Sequence, residues 1–269
     1  MENQVVSENR TQNGIISDNE SAFLSINQLS RKFGALIAVD NVSFSVNKGE
    51  IFSIIGPNGA GKTTLFNAIT GIFRATSGSV IFQGENLTNL EPHIIAKKGI
   101  ARTFQIVRVF DNMSALENTA VGFNCRLKSN IWDVVLNTTR LKREKEEILE
   151  KSVELMRQVG MSDYQDTLAR NLPLGLRKRL QVARALATNP SVLLLDEPTG
   201  GMNSSEKEKM MDLISNLKKL GLTVLLVEHD MNVIMGISDR IIVLDHGVKI
   251  AEGGPTEIQN NNVVIEAYL

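Results

Sequence analysis

Two short segments of the chain carry the side chains and glycines that phosphate chemistry requires. Gly56-Pro57-Asn58-Gly59-Ala60-Gly61-Lys62-Thr63 fits the pattern G-x-x-x-x-G-K-[ST] in full. Glycines let a backbone wrap closely around phosphate oxygens, and amides at a helix start then point at negative charge. The Lys62 ammonium is placed to reach β- and γ-phosphates, and the Thr63 hydroxyl to ligate Mg²⁺. The second segment, Val192-Leu193-Leu194-Leu195-Asp196-Glu197, is an apolar run ending in two acids. Asp196 is expected to hold Mg²⁺ through water, and Glu197 to orient and polarise an attacking water.

Such side chains need rigid elements behind them. Ile51 to Ile55 is apolar on both faces, so it reads as a central parallel strand feeding the glycine-rich loop. The helix after the loop places Leu65, Phe66, Ile69 and Ile72 on one face. Val42 to Val46 alternates apolar and polar residues, as a half-buried strand does, and Gly78 to Phe82 reads as another strand. From Ile106 to Ala187 the pattern is mainly helical. In Leu141 to Val159, Leu149, Val153 and Met156 are expected to line the buried face. Lys142/Glu146 and Arg143/Glu147 pair along other faces, and Gly160 ends the helix. Buried strands return at Ser191 to Leu195, Thr223 to Val227 and Ile241 to Leu244. Between them Asn203 and Glu206 form a capping box for a helix that Gly221 ends. The order implies an α/β core with an inserted helical subdomain.

Composition narrows the class. The chain has 269 residues, 29 Lys plus Arg and 30 Asp plus Glu, so its net charge of -1 argues against a general nucleic-acid binder. The single cysteine, Cys125, excludes an internal disulfide. The longest apolar runs fall far short of the ~20 residues a spanning helix needs. Residues 1–21 are polar, lack the basic start and apolar stretch of a secretory signal, and are expected to form a disordered lead-in. These features lead to the expectation of a soluble cytosolic protein.

From about Ser21 to Leu269 the chain resembles the ABC ATPase family. The resemblance implies a P-loop NTPase (RecA-like) core with an antiparallel β-subdomain and an inserted α-helical subdomain. On that pattern residues 22–105 and 188–269 form the core and 106–187 the helical subdomain. It also implies ATP and Mg²⁺ as ligands, with Gly56 through Thr63 and Thr64 around the phosphates. Gln105, in Arg102-Thr103-Phe104-Gln105, resembles the family's Q-loop glutamine, which touches Mg²⁺ and the water. His229, after a buried strand in Val227-Glu228-His229-Asp230, resembles the switch histidine that contacts the γ-phosphate. Phe33 stands where the family places an aromatic that stacks on adenine. His93 and His246 match no motif and are expected at the surface.

The signature segment departs from the family's usual Leu-Ser-Gly-Gly-Gln. It reads Leu172-Pro173-Leu174-Gly175-Leu176, followed by a helix in which Leu176, Leu180, Ala183 and Ala187 share a face. Pro173 has neither hydroxyl nor backbone N–H. In the family two cassettes pair head to tail, each signature capping the partner's phosphate loop. The departure thus weakens the site on the partner and points to a heterodimer with a second ABC ATPase, a homodimer remaining possible. Gly200-Gly201-Met202-Asn203 occupies the D-loop position with Asn203 in place of the usual aspartate. Arg177-Lys178-Arg179 reads as a solvated helix face.

Arg102-Thr103-Phe104-Gln105, Glu228-His229-Asp230-Met231 and the ending Ala251 through Leu269 resemble the larger ATPase subunit of branched-chain amino-acid importers. That implies two membrane permeases as partners, a solute-binding protein acting indirectly, and a place on the cytoplasmic face of the inner membrane. Urea or short-amide importers and other ABC transporters share much of the pattern. The altered signature also leaves open a non-hydrolytic ATP-sensing module.

Overall fold

The computed structural model describes residues 22–126, 133 and 138–268. The lead-in expected over residues 1–21 lies outside them. Two sheets make up the framework. The first is antiparallel, with strand order β2-β1-β4-β5, from β1 (Leu24–Phe33), β2 (Leu36–Val46), β4 (Ser77–Phe82) and β5 (Glu85–Asn86). The second has the order β10-β9-β3-β8-β7-β6. It is built from β3 (Ile51–Ile55), β6 (Ile100–Arg102), β7 (Val192–Asp196), β8 (Thr223–Val227), β9 (Arg240–Asp245) and β10 (Val248–Gly253). Every residue of β3, β7 and β8 is buried, as runs that are apolar on both faces require. Within this sheet β9, β3, β8, β7 and β6 pair in parallel, and β10 closes the edge antiparallel to β9.

One core cluster fills the space between the two sheets. It contains helix α1 (Lys62–Ile69), with Phe66 fully buried, and a stacked Phe44–Phe52 pair 5.1 Å apart that joins one sheet to the other. Leu65, Phe66 and Ile69 form the buried face as expected, but α1 stops at Ile69 and Ile72 beyond it is exposed. Helix α2 (Pro92–Lys98) leads into β6.

The second cluster lies on the other face of the six-stranded sheet, under the helices between β6 and β7 and those after β7. Helices α3 (Ala115–Val121), α4 (Thr139–Gln158) and α5 (Leu174–Ala187) pack on one another. The buried face of α4 differs from the expected one. Leu141, Ser152 and Met156 are buried, whereas Leu149 is 51% exposed and Val153 38%. The helix turns its Ile148–Ser152–Met156 column inward. Ser152 tolerates that place because its hydroxyl donates to the Ile148 carbonyl at 2.7 Å. Its ion pairs also differ from the expected ones and join Glu147 to Lys151 and Glu154 to Arg157.

Helix α6 (Ser204–Lys219) packs Met210, Leu213, Ile214 and Leu217 against the same cluster. Its start is the expected capping box. The Asn203 side chain accepts from the Glu206 N–H and the Glu206 carboxylate accepts from the Asn203 N–H, both at 3.0 Å. Helix α7 (Met231–Ile237), α8 (Pro255–Gln259) and α9 (Asn262–Tyr268) complete the chain. Asn203→Ala removes one half of the box and is expected to lower unfolding stability by about 1 kcal/mol in a denaturant titration, with Asn203→Ser costing less.

Candidate functional site

Parallel pairing brings the carboxyl ends of β3, β6, β7 and β8 to one edge of the sheet, where ligands of open α/β sheets bind. Each end carries one part of the expected site: Gly56 after β3, Gln105 after β6, Asp196 and Glu197 at β7, and His229 after β8.

The phosphate loop is clamped from two sides. Gly56 has φ 147°, and a Cβ there would lie 2.0 Å from the Leu244 carbonyl oxygen. Gly61 has φ 96°, and its Cβ would lie 2.3 Å from the Ala38 oxygen. Only glycine fits at either position. The Ala60 carbonyl accepts from the Gly247 N–H at 3.2 Å, and the Gly247 carbonyl from the Asp40 N–H at 2.8 Å. The loop is thus wedged between β2 and the turn joining β9 to β10. Gly61 caps α1 without a side chain, so the first amides of that helix keep their capacity for an anion. The buried Lys62 Nζ donates to the carbonyls of Gly56 at 2.7 Å and Pro57 at 2.9 Å. Burial pushes its ammonium below the usual lysine range, while Glu197 and Asp196 act in the opposite direction. Asn58, Gly59 and Thr63 stand exposed at the mouth, and Thr64 is half-buried behind them.

Asp196 is 3% exposed and accepts from Arg102 Nη2 at 2.7 Å. Arg102 also donates to Asn67 and Thr70 at the end of α1, so one guanidinium ties that helix to the acid. That partner escaped sequence reasoning; its only signal is an arginine closing an otherwise apolar short strand.

Glu197 adopts φ 48°, a left-handed conformation rare for a residue with a side chain. Its N–H donates to the Val227 carbonyl at 2.8 Å. Its carboxylate accepts from Gln105 Nε2 at 2.8 Å and lies 3.8 Å from His229 Nδ1. Buried Glu228 accepts from both the N–H and the hydroxyl of Thr199, at 2.7 and 2.6 Å, and so joins the loop after β7 to the loop after β8. Gln105, Glu197 and His229 share a cleft of about 510 Å³ with Leu174, Lys178 and Gly200.

The signature residues divide. Pro173 caps α5, Leu174 is exposed in that cleft, Gly175 is buried against the Glu206 carboxylate, Leu172 is buried and Leu176 is half-buried. The D-loop Asn203 spends its side chain on the α6 cap. Phe33 closes β1 opposite Leu36. It is 38% exposed, with the Arg31 guanidinium 4.3 Å from its ring and Phe73 edge-on at 5.3 Å. Phe33 and the phosphate loop do not line the cleft around Glu197. His93 and His246 are exposed. The basic cluster is not a solvated face. Arg177 pairs with Asp111, Arg179 donates to the Val159 carbonyl, and Lys178 is buried with its Nζ on the Glu197 carbonyl. The turn of α5 that carries them faces protein, and periodicity over three residues does not show that.

A clamped phosphate loop, a buried acid at the end of the neighbouring strand pair and a helical insertion before the signature helix define a P-loop ATPase of the cassette type. Residues 39–200 match the family described as ABC transporter, and residues 248–269 the family described as branched-chain amino acid ATP-binding cassette transporter. The chain is 42% identical to the high-affinity branched-chain amino acid transport ATP-binding protein LivG of Salmonella typhimurium, over 91% of this chain and 97% of that one. It is 40% identical to BraF of Pseudomonas aeruginosa, described in the same words, over the same shares. Its fold superposes with a TM-score of 0.82 on the crystal structure of a nucleotide-free ATP-binding cassette from an ABC transporter, at 34% identity over 92% of this chain and 99% of that one. A dimeric cassette bound to ADP and Pi gives 0.73, at 27% identity over 86% and 98%. The chain belongs to the ABC transporter family, as an ATP-binding subunit that hydrolyses ATP.

Arg102→Met leaves the Asp196 carboxylate buried without its cation. It is expected to lower stability by about 3–5 kcal/mol in a urea titration, with most of the loss recovered in Arg102→Met/Asp196→Asn. Beside His229, the hydrogen bond from Lys207 holds the Asp230 carboxyl below the usual carboxylate range. The stability this contributes is present above the unfolded carboxylate value and is lost as pH falls through the depressed one. Lys207→Met is accordingly expected to flatten the acid limb of the stability curve below about pH 4 and to leave the neutral limb's slope unchanged.

Proposed function

We propose that this chain powers the import of branched-chain amino acids through two partner permeases, from the cytoplasmic face of the inner membrane. The observation that carries the substrate class is the match of its last residues, 248–269, to a family defined by branched-chain transporters, supported by the LivG and BraF relatives. Among the described residues no helix is long and apolar enough to cross a membrane, in keeping with a subunit that docks on permeases. The transported solute reaches those permeases from a solute-binding protein, and nothing in this chain reads it.

In this reading the loop amides and Lys62 hold the ATP phosphates, and Phe33 offers its exposed ring to adenine. Thr63, Asp196 and Gln105 offer only oxygen ligands, the donor set Mg²⁺ prefers. When bound, Mg²⁺ neutralises charge on the phosphate oxygens. Glu197 orients and polarises the attacking water, with Gln105 and His229 flanking its carboxylate. Pro173 and Leu176 leave a poor signature for a partner's nucleotide, whereas the site built on Lys62, Asp196 and Glu197 is complete. That asymmetry favours a heterodimer with a second ABC ATPase that supplies the better signature. The permeases meet a cleft of about 490 Å³ between α2, β6 and the helical subdomain, lined by Ile95, Phe104, Arg108, Cys125 and Arg184.

Glu197→Gln in the assembled transporter is expected to keep ATP binding and to lose turnover by about 10²-fold or more. Unchanged turnover would remove Glu197 from the mechanism, and a wild-type complex that binds ATP without hydrolysing it would favour the sensing module instead. Cys125, the single cysteine, is exposed at the rim of the permease cleft. Maleimide is expected to label it in the isolated subunit and to be excluded in the complex; equal labelling rates would place the permeases elsewhere. Leucine, isoleucine or valine uptake by vesicles carrying the complex, unaffected by excess urea, separates the branched-chain reading from the urea and short-amide one.

A further inference from the structure

Lys178 lies on the helix that begins at the signature segment, yet its side chain points away from solvent and into the carboxyl edge of the sheet of its own chain. It is 7% exposed, and its Nζ donates to the Glu197 carbonyl oxygen at 2.6 Å. We propose that Lys178 is a positioning residue for ATP hydrolysis: it holds the backbone of Glu197 in the conformation that presents the carboxylate to Gln105, and ties that conformation to the signature helix.

Three observations carry this. A buried ammonium is expensive unless it is paired, so the contact is not incidental. Burial pushes the Lys178 amine down while Glu228, Glu197 and Asp196 favour its charged form, and those are the acids of the catalytic edge. Glu197 sits at φ 48°, and such a backbone persists only where its surroundings over-determine it. Its N–H is held by the Val227 carbonyl at 2.8 Å, and its carbonyl takes the Gly200 N–H at 3.2 Å together with the Lys178 ammonium. The seat of that ammonium is narrow, since a Cβ on Gly200 would come within 3.3 Å of Nζ.

The consequence is a rigid link. Leu174 in the first turn of α5 lines the same cleft as Glu197, and Lys178 lies one turn further along the same helix. A shift of the signature helix moves the Lys178 ammonium and, with it, the peptide that orients Glu197. A partner's nucleotide drawn against the signature segment would in this way reset the geometry of the other site.

The inference rests on Glu197 orienting the attacking water. Its test is steady-state ATP hydrolysis by the assembled transporter carrying Lys178→Met, which keeps most of the side-chain volume and removes the donor. The expected result is a kcat lower by about tenfold to 10²-fold, with the KM for ATP and the bound nucleotide per complex within about twofold of wild type. A lysine that merely packed α5 would lower the yield of ATP-binding complex and spare kcat per bound nucleotide, a result that overturns the proposal. In the Glu197→Gln background, Lys178→Met is expected to leave the residual rate unchanged, because the lysine acts through Glu197; multiplied losses overturn the proposal. Where Lys178→Met does not assemble, Lys178→Leu, which also removes the donor, is expected to show the same loss of kcat, and a wild-type kcat overturns the proposal. Full turnover in Glu197→Gln alone would bring down the reading of Glu197 and this inference with it. An inert Glu197→Gln beside an unaltered Lys178→Met would bring down this inference alone.

Discussion

The pairing of β9, β3, β8, β7 and β6 in parallel decides where each functional side chain emerges. Parallel pairing sends every one of these strands in the same direction, so the loops that leave β3, β6, β7 and β8 emerge side by side. Such a sheet must be covered on both faces. The antiparallel sheet and α1 cover one, the helical subdomain with α6 and α7 the other. The covering layers then enter the site themselves: β2 braces Gly61 from below, and α5 brings Leu174 and Lys178 to the edge from above.

Burial concentrates charge at that edge. Lys62, Arg102, Lys178, Asp196 and Glu228 all lie out of water. None is left to bear its desolvation alone. Arg102 takes Asp196, Glu228 takes Thr199, Lys62 takes two loop carbonyls, and Lys178 takes the carbonyl of Glu197. Arg102 closes β6, Asp196 closes β7 and Glu228 follows β8, while Lys62 and Lys178 reach the same edge from α1 and α5, so these charges are held in place by one another and by the backbone. Thr63, Gln105 and His229 stand exposed at this edge, with Glu197 half-buried between Gln105 and His229.

Much of this was legible in the sequence because its signals are local. The glycine, lysine and threonine spacing of the phosphate loop, the apolar runs of β3, β7 and β8, and the Asn203/Glu206 box depend on residues a few positions apart. What was not legible depends on residues far apart in the chain. Arg102 meets Asp196 across 94 positions, and Lys178 meets Glu197 across 19, so the first looked like a motif residue and the second like part of a wet patch. The α4 face was misjudged for a related reason. Leu149 and Val153 are the more apolar column, yet the neighbours α3 and α5 favour the adjacent one, where Ser152 hides its hydroxyl on its own helix. The signature departure at Pro173 and Leu176 was plain from the letters alone, but the structure adds that Pro173 is the cap of α5.

We propose that the site built on this chain's own Lys62, Asp196 and Glu197 turns over ATP, while its altered signature serves a weaker site on the partner. Vanadate trapping of a photoreactive ATP analogue in the assembled transporter asks which chain retains the nucleotide after turnover. Label on this chain, lost with Lys62→Ala here and kept when the partner's phosphate loop is disabled, is the expected result. Label confined to the partner chain would contradict it.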